Sequence, residues 1–113
     1  MSDNRSPVRH KKRFSVHFGV EEANRVAFTE DISQTGIFIR SLNVCPPNTS
    51  IKLELLLENE NKVVLEGRVM WAKKVPQNLF HLVKKSGMGV HILRFLSGEE
   101  HYRRFCNDMS KAR

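Results

Sequence analysis

Arg9-His10-Lys11-Lys12-Arg13 places two guanidinium groups four residues apart. In extended chain an even offset turns both to one side, about 13 Å apart at roughly 3.3 Å per residue. Such a pair can grip separate points on one dianionic ligand. Guanidinium suits the task because it stays charged, bonds phosphate bidentately, donates to guanine O6 and N7, and stacks on flat bases. Taken alone, a Lys/Arg run is more often a solvated tail or a general nucleic-acid patch. A second group is Asp31-Ile32-Ser33-Gln34-Thr35-Gly36. One reading is structural: Asp31 or Ser33 caps the backbone amides of a turn and Gly36 supplies a positive φ. The other gives Asp31 a carboxylate that accepts from guanine N1–H and N2–H, with the Ser33 hydroxyl donating or accepting beside it. The two are compatible, since a binding turn must still be a turn.

Other reactive side chains form no site. Cys45 and Cys106 are far apart and in no CxxC pair, so a disulfide scaffold or zinc centre is not expected, and a reducing cytoplasm fits. His10, His17, His81, His91 and His101 lack metal-ligand spacing; His10, inside the basic arm, is a secondary candidate for ligand contact. Gly87-x-Gly89 lacks the rest of a dinucleotide fingerprint. Asp, Ser and His are present without a nucleophile elbow or an oriented triad, so no enzyme, metal or cofactor is expected.

The elements that must position these groups are short. With 113 residues, 40% of them hydrophobic, one domain with a modest core is expected. The net charge of +7 favours anionic partners, and it is uneven: residues 1–13 hold five Arg or Lys against one Asp. The longest aliphatic run, Leu55-Leu56-Leu57, is far too short to span a membrane, and no apolar segment follows the basic start to make a secretory signal. Residues 1–8 read as a flexible tail. Phe14, Val16 and Phe18 alternate with Ser15 and His17, giving a strand with one buried face. Further strands are expected at Arg25–Glu30, Gly36–Ser41, Ile51–Leu57, Leu65–Trp71 and Met88–Ile92. Pro46-Pro47-Asn48 breaks the chain, Glu58–Asn61 is a hairpin loop, and 76–87 is an irregular connection. Trp71, on the alternating face with Leu65 and Val69, is expected in the core. Ser97 and Glu100 form a capping box, and Tyr102, Phe105, Cys106 and Met109 follow at helical spacing, so a helix is expected over 98–111. Six strands and one helix imply an all-β fold: a six-stranded antiparallel barrel over 14–96 with a C-terminal helix.

The two motifs together resemble the PilZ family, which carries an RxxxR arm followed about twenty residues later by DxSxxG. Gly67-Arg68-Val69-Met70-Trp71 is similar to the family's GxVxW strand, Gly87-Met88-Gly89-Val90 to its GxGV strand, and the terminal helix falls where the family has one. The resemblance spans nearly the whole chain, with a PilZ-like domain over 9–113. It implies a receptor or adaptor that binds cyclic di-GMP on the outside of the barrel under the arm 9–13. By position, Arg9 and Arg13 would hold phosphates and guanine edges, Asp31 and Ser33 would read guanine, and Gly36 would allow close backbone approach. Asn48 stands where the family usually has Gly, and Ile92 replaces a common Phe. Val8, a secondary position, stands where some members have a third Arg, leaving one stacking surface fewer. The arm, rich in positive charge and without an apolar stripe, is expected to order only when the ligand neutralises it, closing over Asp31 and Ser33. With no output domain in these residues, signalling through a partner protein in the cytoplasm is implied. The competing readings are a small basic nucleic-acid-binding barrel and a PilZ-like adaptor that binds no nucleotide. The aromatics fall mostly on expected inward faces and the charge sits in a short arm, which disfavours nucleic acid.

Overall fold

Period-two alternation organises the chain into strands whose apolar faces point inward. The computed structural model describes residues 9–74 and 86–111. The tail 1–8 with Val8, His81 and nearly all of the connection 76–87 lie outside the described residues. The elements are β1 (His10–Lys11), β2 (Ser15–Gly19), β3 (Arg25–Ile32), β4 (Gly36–Arg40), β5 (Ser50–Leu56), β6 (Lys62–Lys73), β7 (Gly87–Ser97) and α1 (Glu99–Lys111). All pairings are antiparallel, in the order β1-β3-β2-β5-β6-β7-β4, and β4 returns to β3 to close a six-stranded barrel. Val16, Phe18, Ile39, Leu53, Leu55, Val63, Leu65, Val69 and Met88 fill its interior. The expected barrel and C-terminal helix are both present.

Four register shifts interrupt the ladders, one in the β3–β4 pairing and three in the β6–β7 pairing, and two of them shape the outer face near the β3–β4 turn. One lies between Thr29 and Asp31, so Thr29 and Ile32 point inward and Asp31 is released to the outer face. The other lies between Val69 and Trp71. It turns Trp71 outward, 44% exposed, where the alternation placed it in the core.

The arm is held by the protein itself. His10 and Lys11 pair with Ile32 and Asp31 as β1, on the same side of β3 as β2. Between the two short strands the buried Thr29 hydroxyl bridges the gap. It accepts from Phe14 N at 2.7 Å and donates to Lys12 O at 2.6 Å. Lys12 N also donates to Glu30 O. For residues 10–12, the stretch of β3 beyond β2 supplies backbone partners that composition cannot reveal.

Turns follow local chemistry. Asn48 adopts φ 74, as its tolerance for left-handed backbone allows. A 3-10 turn, Glu58–Glu60, joins β5 to β6. The helix start differs from the capping-box expectation. Ser97 ends β7, and Gly98 takes the cap position at φ 81, its carbonyl accepting from Tyr102 N. The reversal from strand to helix needs that left-handed residue, and a Cβ there would lie 2.5 Å from Lys62 O. Glu99 and Glu100 complement the helix dipole in the first turn. Tyr102 and Cys106 are buried against the barrel, and Phe105 meets Phe14 edge-on at 5.2 Å. Burial pushes both the Tyr102 hydroxyl and the Cys106 thiol above their usual ranges.

Candidate ligand-binding groove

The β3–β4 turn is built around one hydroxyl. Ser33 Oγ accepts from Gly36 N at 3.1 Å and Thr35 N at 3.3 Å, and donates to Gly36 O at 3.3 Å. Ser33 N closes the turn onto the same carbonyl at 2.9 Å. Ser33 therefore acts first as the internal cap of the turn. Gly36 does not supply a positive φ; among the described residues only Gly98 is a glycine in that region. What Gly36 permits is close packing of β4 on β7, since a Cβ there would stand 3.0 Å from Val90 O.

Outside this turn lies a groove of about 280 Å³. Its walls include Arg9, Asp31, Ser33 and Gly36, together with Phe38, Trp71 and His91. The β1–β3 register carries Arg9 to a point across from Ser33. The bulge in β3 presents Asp31 to the same space. On the far side Trp71 and Phe38 pack with ring centroids 5.1 Å apart. The indole lies over Gly89, where a Cβ would fall 2.2 Å from Trp71 Nε1. The floor is therefore an aromatic surface kept open by a missing side chain. A cation, a carboxylate and an exposed indole share one concavity, which suits a ligand with both an anionic group and a flat polar ring.

Four of the five principal site residues from the sequence thus meet. Arg13 does not line the groove. Its guanidinium stacks 4.1 Å above the Phe28 ring, in a neighbouring cleft with Lys11, Lys12, Glu30 and Arg40. The even-offset argument fails for Arg9 and Arg13 because the chain leaves the ladder between Lys11 and Ser15. Glu30 in that cleft bonds Arg40 at 3.1 Å, which holds its carboxyl below the usual range despite some desolvation. His10 is half-buried and turns toward α1, Nε2 lying 3.3 Å from Ser110 Oγ. Trp71, Phe38 and His91 were missed as site residues. For Trp71 the GxVxW likeness was a signal, overruled by the alternation. Among the described residues no His, Cys, Asp or Glu cluster could hold a metal. No described helix is long and apolar enough to cross a membrane.

Fold and groove together define a small antiparallel barrel with a polar–aromatic recognition face beside its N-terminal strand. The PilZ domain family model matches residues 3–108, and the chain belongs to the PilZ domain family. Among solved structures it is similar to the Bacillus subtilis inhibitor of motility (MotI/DgrA), with a TM-score of 0.73 and 19% identity. That alignment covers 99% of this chain and 55% of the other, so the chain spans about half of that protein's length. At this identity the likeness concerns the fold alone. No curated protein matches the sequence.

Proposed function

We propose that this protein is a cyclic di-GMP receptor that signals through a partner protein. The observation that carries the reading is the convergence of Arg9, Asp31, Ser33 and Trp71 on one outer groove. Arg9 pairs with a phosphate or a guanine edge, and Asp31 accepts from guanine N1–H and N2–H. Trp71 offers its exposed face to a base. The groove is slightly smaller than sites that enclose a whole drug-sized ligand. Part of the dinucleotide therefore lies along the outer surface toward the arm. Arg13, exposed above Phe28, then joins it by leaving that ring. Because β1 is already laid on β3, the change on binding falls on the Arg9 and Arg13 side chains rather than on the backbone of residues 10–12. The partner reads that altered charge.

A calorimetric titration of the full chain with cyclic di-GMP, GTP and a random oligonucleotide tests the reading. Selective binding of cyclic di-GMP is expected. Equal affinity for GTP would defeat the receptor assignment, and equal affinity for the oligonucleotide would favour a nucleic-acid-binding barrel.

A further inference from the structure

The backbone of the β3–β4 turn is held from outside the barrel by the terminal helix. Tyr102, fully buried, donates its hydroxyl to Ser33 O at 2.6 Å. The next helical residue, Arg103, donates through Nη1 to Gln34 O at 2.6 Å and to Gln34 Oε1 at 2.8 Å. Gln34 Nε2 returns a bond to Asn107 Oδ1 at 3.1 Å, one turn further along α1. On the other side Ile92 N donates to Thr35 O at 2.9 Å. The carbonyls of Ser33 and Gln34 are thus fixed by α1, that of Thr35 by β7, and that of Gly36 by Ser33 itself.

A turn of this kind has few internal bonds. Ser33 Oγ, its central acceptor, makes three contacts of 3.1–3.3 Å, all longer than either bond from α1 to a backbone carbonyl. The stronger restraints on the peptide planes of residues 33 and 34 are therefore the helical ones. Neither Tyr102 nor Arg103 lines the groove. Arg103 is itself well anchored: its Nε lies 3.4 Å from Glu99 Oε2 and its guanidinium 5.0 Å from the centre of the Phe95 ring.

Resting on the receptor reading above, we propose that Tyr102 and Arg103 are positioning residues for the recognition turn. They set ligand affinity and guanine selectivity from the far side of the turn, without contacting the ligand. A buried side chain that reads a base edge discriminates only if it is held still, because a loose donor or acceptor can follow a wrong base as well as the right one. Thermodynamic reciprocity adds a corollary: whatever the helix contributes to binding, binding returns as stability to the helix.

Arg103→Met keeps an unbranched side chain and removes the guanidinium, with both Nη1 bonds to Gln34, the Nε bond to Glu99 and the contact with Phe95. The side chain is 40% exposed, so folding is expected to survive; Tyr102→Phe is the companion variant that deletes one hydroxyl. Amide exchange in the full-length protein is expected to rise about three- to tenfold at Thr35 and Gly36. Cyclic di-GMP affinity is expected to fall by a similar factor, with a smaller fall for cyclic di-AMP, so that the preference between them narrows. A purely structural role would leave that preference unchanged. Unchanged exchange at Thr35 and Gly36 in both variants overturns the proposal. So does faster exchange with affinity and preference equal to wild type. Faster exchange in variants of a protein whose wild type ignores cyclic di-GMP overturns it too, and identifies the receptor reading as the part that failed.

Discussion

Asp31→Ala and Arg9→Ala are each expected to weaken cyclic di-GMP binding tenfold or more. Each variant removes a charge-assisted hydrogen bond of about 1.5–3 kcal/mol, and roughly 1.4 kcal/mol is a factor of ten. On the receptor reading Asp31 carries the larger share, because it lines the groove as the proposed acceptor for guanine N1–H and N2–H, which adenine does not match. Arg13→Ala is expected to weaken binding as well, since the side chain can leave Phe28 for the ligand. Arg25→Ala is the control. Arg25 opens the same strand, six residues before Asp31, about 20 Å away at roughly 3.3 Å per residue, and is exposed. Calorimetry on the four variants decides the matter: intact affinity in both Asp31→Ala and Arg9→Ala would move binding off this groove.

Thr29→Val is expected to have the largest effect on stability, about 2–3 kcal/mol, and to weaken ligand binding as a consequence. The substitution nearly preserves shape and so creates no cavity. It strands Phe14 N, 2.7 Å from the lost hydroxyl, and Lys12 O, which accepts from that same group at 2.6 Å. An unsatisfied buried polar group costs about 1–3 kcal/mol. The damage reaches the site because Thr29 fastens the arm where it leaves the ladder, at Lys12 and Phe14, with Lys12 three residues beyond Arg9 and next to β1. Urea unfolding would show a lower midpoint with an unchanged slope, and a titration would show weaker cyclic di-GMP binding. A variant as stable as wild type would mean that water replaces the hydroxyl and that the arm is fastened elsewhere.

The parts of this protein legible in its sequence were those with a period. Val16 and Phe18, Ile51 to Leu55, and Leu65 to Val69 alternate, and each is a strand with those side chains inside. Tyr102, Phe105, Cys106 and Met109 recur at helical spacing, and they form the face of α1 turned to the barrel. The motif residues Arg9, Asp31, Ser33 and Gly36 were legible as a resemblance, and the groove unites them. What escaped has no period. A two-residue strand such as His10–Lys11 leaves no pattern, and its existence depends on the unpaired edge of β3. Trp71 was placed inside because counting by twos cannot see a bulge. Ser97 outranked Gly98 as a helix cap because a side-chain preference is visible in sequence and a required backbone angle is not. The bonds from Tyr102 and Arg103 to residues 33 and 34 join positions 69 apart, beyond any local rule.

The two bulges make the recognition face depend on how many residues its strands contain as much as on which ones. Asp31 and Trp71 face outward because one strand carries an extra residue at each place relative to its partner. Excising one residue at either bulge would restore strict alternation and swing the side chain beyond it into the barrel. At the β3 bulge the RxxxR and DxSxxG patterns would both survive the loss of Glu30, whereas losing Met70 would break GxVxW itself. Among related chains, those that keep RxxxR and DxSxxG but lack the extra residue before the Asp would therefore retain these two motifs and lose the surface. For this domain, strand length is part of the recognition code.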